Sequence, residues 1–452
     1  MAATQLTRTI GSAGAHKKGT FSAWIKKTKP TGEQFLYYSL ENGNNNFRIR
    51  FDPETLGVQS LQGGSTNMHL NTNRVFRDPN AWYHIVVALD SSQNTSSDRC
   101  KIYVNGVQET SFSTSTYPSQ DANVSINESG TVYIGGQNGS NYFNGIMSHV
   151  HWVDGTAYTP STFGETDATT GEWKIKVDPG LSQANYGTNG FFILKDGNSV
   201  TDQSGNSNNL TVSGTLTNTE DCPSNVFATL NPLVTSSYSS LTLGNNTVKG
   251  NTAANDGETY STLGTGNTGK WYWEIKATGL NGSGNPKLGF VQTNSDNIFR
   301  LQNGGSGYGG GSNSDSIMIR PDGKVIDDGS TSGVLYGTFS AGDILSFALD
   351  SDNGAFYYAI NGTWQNSGDP TSGASKTGAV KTWTATSNKA SHGQHVCIGT
   401  YDTATQADCN FGNGYFGTTA ISSEGTNASG IGKFEYDVPT GYTALSTKGL
   451  NE

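Results

Sequence analysis

Two stretches of the chain, residues 83–106 and 344–362, repeat one pattern of strands and turns. Each copy has an apolar run that ends in Ala-Leu-Asp, a polar stretch, and an aromatic-rich run that ends in Asn-Gly. Asn-Gly tolerates positive φ at both central positions, so tight hairpin turns favour this pair. Each copy therefore predicts three antiparallel strands joined by two turns. Because the copies lie in different halves of the chain, they predict two related all-β domains.

Length and composition fit two such domains. The chain has 452 residues with 59 glycines, and only 14% of its residues are charged. A single β-sandwich often runs to about 200–250 residues, so two of them fill the chain. We predict two consecutive antiparallel β-sandwiches of the jelly-roll type, at residues 1–220 and 240–452. A linker is expected at 221–239, where Asp221-Cys-Pro-Ser interrupts the strand pattern.

Two runs show clear alternation between the faces of a strand. In Phe47-Arg-Ile-Arg-Phe51, the apolar side chains should point inward and the two arginines outward. In Lys270-Trp-Tyr-Trp-Glu-Ile-Lys276, both tryptophans and the isoleucine share one face. Both patterns indicate strands with one face on a core.

Charge and hydropathy exclude several classes of partner and location. A formal net charge of −10 argues against nucleic acid and anionic membrane surfaces, because both bind basic faces. Residues 1–10 lack the apolar core of a signal peptide, and no run reaches the ~20 apolar residues of a membrane span. We expect synthesis and folding in a reducing cytoplasm, without membrane insertion.

The four cysteines have neither disulfide-framework nor zinc-type spacing. Cys397 and Cys409 could face each other across a hairpin. Buried free thiols are the favoured interpretation of this pair, because free cysteine behaves as a small apolar residue.

Several strands of the first half occur in an order that resembles a known family. They are Trp82-Tyr-His-Ile-Val-Val-Ala-Leu-Asp90, Lys101-Ile-Tyr-Val-Asn-Gly106, Tyr133-Ile-Gly135 and Phe143-Asn-Gly-Ile-Met-Ser-His-Val150. These motifs resemble the laminin-G-like, concanavalin A-like jelly rolls, over about residues 1–215. The resemblance implies a recognition fold of two antiparallel sheets.

The second half resembles a SPRY domain over about residues 230–450. The motifs are Gly269-Lys-Trp-Tyr-Trp-Glu-Ile275, Gly342-Asp-Ile-Leu-Ser-Phe-Ala-Leu-Asp350, Tyr358-Ala-Ile-Asn-Gly362, Asn410-Phe-Gly412 and Val438-Pro-Thr-Gly-Tyr-Thr-Ala-Leu445. SPRY domains are also concanavalin A-like sandwiches, which accounts for the repeated pattern. The loop at 303–312 and the stretch at 366–394 depart from the family.

Motifs that would carry catalysis are weak. Residues 264–269 and 305–310 both match G-x-G-x-x-G, but neither has the strand-then-helix context of a dinucleotide site. Asp350-Ser-Asp-Asn-Gly354 fits a hairpin turn better than a calcium loop, whose glycine comes one position later. Paired carboxylates of a glycosidase and a nucleophile elbow are missing. We expect no enzyme and no cofactor, while a calcium site at the sandwich rim remains an alternative without assignable ligands.

Aromatic residues in irregular stretches are the candidates for ligand binding. Tyr308 lies in a Gly-rich loop, Trp364 follows an Asn-Gly turn by two residues, and Trp383 lies in the 366–394 stretch. Tyrosine and tryptophan stack on sugars and lead among interface hot spots. Packing in the core is the alternative role of each ring.

Two histidines are candidates for a metal site. His149 and His151 are two residues apart on one strand and would share a face. Two ligands are too few for a closed site, so metal binding would need a symmetric oligomer, with a trimer supplying six imidazoles. The alternative is an exposed strand face without a ligand.

The pairing of the two folds resembles laminin-G-like plus SPRY proteins of tailed phages, especially marine ones. The resemblance implies a non-enzymatic virion surface protein, a fibre or adhesin that binds host-surface glycan or protein through its loops. It further implies other virion proteins as partners and a homo-oligomer, with a trimer as one form. A capsid or tail decoration or connector protein is the first alternative, and a polysaccharide depolymerase is the second.

Overall fold

The computed structural model of the chain describes residues 3–195, 197, 199–251, 256–282, 284–292, 316–327, 330–384 and 393–451. The chain divides into two compact units, Met1–Leu216 and Thr217–Glu452. The chain is nearly all β, as predicted, and its strands pair almost entirely antiparallel. Among the described residues, one short α-helix occurs, α1 (Gln183–Tyr186).

The strands of the first unit are β1 (Gln5–Ile10), β2 (Lys18–Lys27), β3 (Gln34–Asn42), β4 (Asn45–Asp52), β5 (Thr55–Gln62), β6 (Ser65–Val75), β7 (Trp82–Asp90), β8 (Cys100–Val104), β9 (Val107–Gln108), β10 (Phe112–Thr116), β11 (Gly130–Ile134), β12 (Gly145–Asp154), β13 (Gly164–Thr166), β14 (Trp173–Ile175), β15 (Phe191–Ile193) and β16 (Thr211–Ser213). Short 3-10 helices lie at Ser96–Asp98 and Pro160–Thr162.

Two antiparallel sheets enclose the core of the first unit. The larger sheet has the order β10-β6-β5-β4-β3-β11-β1-β16, and the smaller has β15-β12-β2-β7-β8-β9. Phe47, Ile49 and Phe51 are at most 1% exposed and belong to the core. The alternation predicted for β4 is therefore confirmed, and it turns Arg48 and Arg50 to the opposite face of the larger sheet.

The outer face of the smaller sheet is also covered. Val86 and Val153 from this sheet pack with Phe163, Tyr186 and Phe192 in a second apolar cluster. The segment that carries the β13–β14 hairpin and α1 supplies two of these rings. Both faces of the smaller sheet are thus buried, whereas the larger sheet keeps a polar outer face.

The strands of the second unit are β17 (Ser239–Thr242), β18 (Thr247–Gly250), β19 (Gly257–Tyr260), β20 (Lys270–Gly279), β21 (Lys287–Gln292), β22 (Ser316–Ile319), β23 (Lys324–Asp327), β24 (Ser330–Leu335), β25 (Ile344–Asp350), β26 (Ala355–Ile360), β27 (Thr363–Trp364), β28 (Lys381–Thr382), β29 (Gln394–Thr400), β30 (Gln406–Asn410), β31 (Tyr415–Phe416), β32 (Thr419–Ala420) and β33 (Thr443–Ala444). Short 3-10 helices lie at Gln365–Ser367, Pro370–Ser375 and Gly449–Asn451.

The second unit is likewise a sandwich. One sheet runs β17-β18-β30-β20-β25-β26-β27, with β28 beside β26 and β33 parallel to β20, and the other runs β19-β29-β21-β22-β23-β24. Trp271, Trp273 and Ile275 are buried in the core between them, which confirms the face predicted for β20. The indole of Trp273 stacks on Phe347 with ring centroids 5.5 Å apart.

The repeated pattern folds as predicted in both units. β7, β8 and β9 are antiparallel neighbours, as are β25, β26 and β27. The turns carry positive φ at both central residues, with 49° and 79° at Asn105 and Gly106 and 47° and 79° at Asn361 and Gly362. The same hairpin chemistry therefore builds the same strand arrangement twice.

The segment expected as a linker at 221–239 has a different role. Phe227, Ala228 and Leu230 are at most 1% exposed, and Ala228 N donates to the carbonyl of Leu445 at 2.9 Å. Residues 221–239 all lie within the second unit. Their apolar side chains explain this placement, because an exposed linker would leave them in water.

All four cysteines are free thiols, of which Cys100, Cys397 and Cys409 are buried and Cys222 is half-buried. Cys397 and Cys409 belong to strands of different sheets, β29 and β30, so they do not face each other across a hairpin. In the part of the chain that the structure describes, no helix is long and apolar enough to cross a membrane.

Candidate functional site

One face of the larger sheet of the first unit carries a continuous band of polar side chains. Strand pairing connects one residue of each of the eight strands, so that all eight side chains share this face. In sheet order, this polar row consists of Thr116, His69, Gln59, Arg48, Tyr38, Tyr133, Thr7 and Thr211. Neighbouring strands lie about 4.8 Å apart, so the row crosses the sheet perpendicular to the strands.

Arg50 lies beside the row and is held rigidly. Its Nε is 2.7 Å from carboxylate oxygens of both Glu33 and Asp52, and its Nη1 donates to Gln59 Oε1 at 3.1 Å. A side chain at Gly57 would place its Cβ 2.6 Å from Asp52 Oδ2, so glycine leaves room for this carboxylate. Arg50 therefore has its charge matched and serves to position its neighbours.

Other polar groups at the row have no partner. His69 Nε2 and Asn71 Oδ1 are buried atoms without a hydrogen-bond partner among the described residues. Arg48 donates from Nε to Asn46 Oδ1 at 3.2 Å, and no ion pair joins it to any described residue. Burial, with Arg50 as the next cause, lowers the pKa of His69, so the imidazole is neutral at pH 7. Because His69 Nε2 and Asn71 Oδ1 are buried, the terminal nitrogens of Arg48 are the unpaired groups that a ligand on this face can reach.

Two aromatic members of the row, Tyr38 and Tyr133, follow Arg48 in sheet order, and Phe35 packs beside them. The ring centroids of Phe35 and Tyr38 are 5.5 Å apart, and those of Tyr38 and Tyr133 are 5.9 Å apart. Tyr133 donates from its hydroxyl to Asn138 Oδ1 at 2.9 Å. These rings are nearly buried, so they mainly fix the position of the polar groups beside them.

The three aromatic candidates from the sequence have different surroundings. Tyr308 lies outside the described residues. Trp364 is half-buried and packs against the apolar cluster on the outer face of its sheet. Trp383 is 8% exposed, and its ring centroid is 6.1 Å from that of Phe290 in the core. β28 pairs with β26 just before Trp383, which turns this ring inward and leaves little of it for a ligand.

The two histidines do not share an exposed strand face. The register of β12 shifts between Ser148 and His151, and His149 has a φ of 48°, so a bulge breaks the alternation. His151 is 2% exposed, its ring stacks on Phe192, and its Nδ1 is 2.9 Å from the hydroxyl of Tyr186. Burial therefore keeps His151 from an oligomer surface. Within the described ranges, no group of three or more potential ligands could hold a metal ion.

A serine and a histidine contact each other inside the first unit. Ser22 Oγ lies 2.9 Å from His84 Nε2, and Trp173 Nε1 donates to His84 Nδ1 at 3.0 Å. Burial lowers the pKa of His84 to about 3, so the ring is neutral. Because an indole nitrogen can only donate, the ring proton sits on Nε2 and points at Ser22. The ring cannot take the proton of Ser22, as the base of a nucleophile pair must.

The second unit has a cleft of about 920 Å³ at the start of β20. Its lining includes Lys270, Tyr442 and Thr443. Lys270 Nζ lies 3.2 Å from Asp350 Oδ2 and 5.7 Å from the ring centroid of Tyr442, which is 1% exposed. Lys270 is already paired with Asp350, and the buried ring of Tyr442 cannot contact a ligand. The polar row of the first unit is therefore the stronger candidate for ligand binding.

A concanavalin A-like sandwich with a polar sheet face is therefore the class of protein that the first unit defines. Residues 4–163 match the family model described as the concanavalin A-like lectin/glucanases superfamily. Laminin-G and concanavalin A-like domains often mediate binding of glycans or proteins. A search of the curated proteins finds no match.

Solved structures similar to the chain include three from animals. The SPRY domain of human HERC1 has 11% identity, covers 43% of this chain and 99% of its own, and gives a TM-score of 0.30. The SAP-like pentraxin of Limulus polyphemus is 16% identical to the chain. The match covers 35% of this chain and 72% of the pentraxin chain, with a TM-score of 0.27. Domains LG4-5 of the mouse laminin alpha1 chain are 9% identical to the chain. The match covers 97% of this chain and 92% of the laminin fragment, with a TM-score of 0.30.

Sequence reasoning did not single out the polar row. The alternation of β4 correctly turned Arg48 and Arg50 outward, and two arginines on one strand face were the available signal. The other members come from strands that meet only through sheet pairing, with Tyr133 and Thr211 far from Arg48 in the chain. Their assembly depends on register, which the local pattern does not encode.

Proposed function

We propose that the protein is a non-enzymatic virion surface protein that binds host-surface glycan, with the polar row as its binding surface. The observation that carries the proposal is the row of polar side chains on one sheet face, in which the two terminal nitrogens of Arg48 make no hydrogen bond to a described residue. Sugar hydroxyls both donate and accept hydrogen bonds, so they can satisfy such a mixed set. The sheet face replaces the loops predicted from the sequence as the proposed site.

The virion setting is supported by the resemblance of the combined folds to tailed-phage proteins. Other virion proteins are the proposed structural partners, and a homo-oligomer such as a trimer is the proposed assembly. Several copies of a weak site raise the overall affinity through effective concentration. A shallow sheet face therefore suffices for attachment if the oligomer presents several rows at once.

The absence of catalysis is part of the proposal. Two observations support it. The proton on His84 Nε2 points at Ser22, which leaves this serine without a base. The carboxylate of Glu274 on β20 is 0% exposed and accepts hydrogen bonds from the backbone nitrogens of Glu435 and Tyr436. Neither group can reach a bound polysaccharide.

Replacing His69 with alanine should weaken glycan binding by about tenfold, the value of one hydrogen bond of roughly 1.4 kcal/mol. The fold should persist, because His69 makes no hydrogen bond to described residues. Binding is measured by titration of the full chain with the glycans that it retains on an array. His16→Ala is the matched control, since His16 is half-buried in the same unit but lies off the row. Equal loss in both variants would contradict the proposed site.

A decoration or connector role is the second candidate. β24 is the edge strand of its sheet and exposes Val334 and Leu335 by 57% and 61%. Exposed edges with apolar side chains pair readily with other chains. This role predicts that the protein occupies every equivalent position on a capsid. The Val334→Glu variant should lose this binding. Release of reducing sugar from host polysaccharide would instead establish a depolymerase.

A further inference from the structure

We propose that Asn42 is a self-modification site, at which the folded chain converts asparagine into aspartate and isoaspartate without an enzyme. Asn42 is the last residue of β3, and Gly43 follows it in the tight turn to β4. Both residues are exposed to water. The reaction does not depend on the proposed glycan binding.

The chemistry needs only the two residues and water. The backbone nitrogen of Gly43 loses its proton to solvent base and attacks Cγ of Asn42. The side-chain nitrogen of Asn42 takes up a proton and leaves as ammonia, so that a cyclic succinimide remains. Water then opens the ring at one of its two carbonyl groups. Cleavage of the new Cγ–N bond gives aspartate, cleavage of the original backbone C–N bond gives isoaspartate, and one water is consumed for each ammonia released.

The hydrogen bonds of Asn42 hold its side chain close to the attacking nitrogen. Its Oδ1 accepts from the backbone nitrogens of Asn44 at 2.9 Å and Asn45 at 3.0 Å. Gly43 lies between Asn42 and these donors, so its nitrogen belongs to the ring that the hydrogen bond from Asn44 closes. Alignment of reacting groups before reaction is a large source of acceleration in intramolecular steps.

The same two donors stabilise the charge that the reaction develops. Oδ1 of Asn42 becomes negative when the nitrogen adds to Cγ, and the two backbone N–H groups already point at this oxygen. They act as the donors of an oxyanion hole do, because they need not reorient. The nitrogen of Gly43 makes no hydrogen bond to a described residue, and neither does the leaving group, Nδ2 of Asn42. Neither nitrogen therefore has to break a bond first.

Two other exposed Asn-Gly turns lack this arrangement. Oδ1 of Asn105 accepts from the backbone nitrogen of His84 at 2.7 Å, and Oδ1 of Asn361 accepts from that of Ile344 at 3.0 Å. These donors belong to the preceding strands β7 and β25, so each side chain is tied to a neighbouring strand instead of the residues after the glycine. Cyclisation at these two sites must first break that hydrogen bond.

In three further Asn-Gly pairs the glycine nitrogen itself is engaged. The backbone nitrogens of Gly139, Gly354 and Gly414 donate to Gln5 Oε1, the carbonyl of Asp350 and Asn410 Oδ1. Among these six pairs, only Asn42-Gly43 combines a free glycine nitrogen with donors that hold the amide oxygen forward.

The modification changes a contact between two turns of the larger sheet. Asn45 Oδ1 accepts from the backbone nitrogen of Gly63 at 2.7 Å, and the carbonyl of Asn44 accepts from that of Gly64 at 3.0 Å. Either product adds a negative charge beside Glu41, and isoaspartate also lengthens the backbone by one carbon. The added charge and length therefore fall where the β3–β4 and β5–β6 turns meet.

The test incubates the folded full chain in mildly alkaline buffer made with water that carries heavy oxygen. Peptide mass spectrometry then follows the loss of ammonia and the gain of label at each Asn-Gly pair, and fragmentation distinguishes isoaspartate from aspartate. Asn42 should convert at least about tenfold faster than Asn105 and Asn361, which corresponds to about 1.4 kcal/mol in the barrier. In guanidinium chloride, which unfolds the chain, the three sites should convert at similar rates, because each is an Asn-Gly pair. Similar rates in the folded chain would overturn the inference, as would protection of Asn42 on folding.

Gly43→Ala tests the attacking nitrogen. A Cβ added at Gly43 meets no heavy atom within 4 Å, and its φ lies outside the left-handed region, so the fold should tolerate alanine. The methyl group restricts the rotation that brings the nitrogen onto Cγ, so conversion of Asn42 should slow by about tenfold. Conversion of Asn105 and Asn361 in the same molecule is the internal control and should not change. An unchanged rate at Asn42 in a folded Gly43→Ala chain would show that this nitrogen is not the nucleophile.

Discussion

Replacing Glu274 with alanine should destabilise the second unit by about 3 kcal/mol and lower its unfolding midpoint by roughly 10 °C. Glu274 accepts four hydrogen bonds, two at each carboxylate oxygen. They come from the backbone nitrogens of Glu435 and Tyr436 at 2.9 Å, from Tyr272 Oη at 3.0 Å and from Asn410 Nδ2 at 3.2 Å. Alanine would leave the two backbone donors buried without partners, and each such loss costs about 1–3 kcal/mol.

The measurement is thermal unfolding of the full chain at pH 8. Burial raises the pKa of Glu274 to about 7, so most of the side chain is ionised at that pH. Glu274→Gln keeps one oxygen acceptor but turns an amide toward the donors, and it should lose about half as much stability. Glu424→Ala is the control, because the Glu424 side chain is 61% exposed and its Oε2 lies 3.9 Å from Lys433 Nζ, too far for a hydrogen bond. Unchanged stability in Glu274→Ala would show that this carboxylate does not hold the C-terminal segment.

The first unit should lose about 3 kcal/mol of stability between pH 7 and pH 4.5 because of His84 alone. Burial lowers the pKa of His84 in the folded chain to about 3, with His149 as the second cause, whereas the unfolded value is 6.5. Between pH 6.5 and pH 3, His84 is protonated in the unfolded chain but stays neutral in the folded chain. Stability therefore falls as the pH falls, by about 1.4 kcal/mol per unit for one group.

The measurement is hydrogen exchange in peptides from Trp82–Asp90, read by mass spectrometry across this pH range. His84→Gln keeps an acceptor for Trp173 and a donor for Ser22 but cannot titrate. This variant should show a shallower loss of stability at acid pH. His151, whose pKa is also lowered by burial, accounts for part of the remaining slope. The same slope in both proteins would mean that His84 is not a source of the acid sensitivity.

Turn chemistry and alternation predicted much of each sandwich. Asn105-Gly106 and Asn361-Gly362 have the backbone angles that their residue types favour, because these turns depend on neighbouring residues alone. The faces of β4 and β20 follow the period of a strand and were predicted for the same reason.

Predictions that needed long-range information were less accurate. His151 was expected on an exposed face, but a bulge in β12 and the covering Tyr186 place it inside. Trp383 was expected near a ligand, but β28 adds to a sheet and turns this ring into the core. In both cases a segment distant in the chain decides the burial of the side chain.

The sequence by itself determined where the strands lie, which way most of them face and where the tight turns occur, since these properties depend on local periodicity and backbone preference. Only the tertiary structure decided which side chains meet. The polar row joins residues from Thr7 to Thr211 through seven strand pairings, and Glu274 contacts the segment at Glu435 through packing between distant parts of the chain. Register and packing are collective properties of the folded units, so the proposed site is visible only in three dimensions.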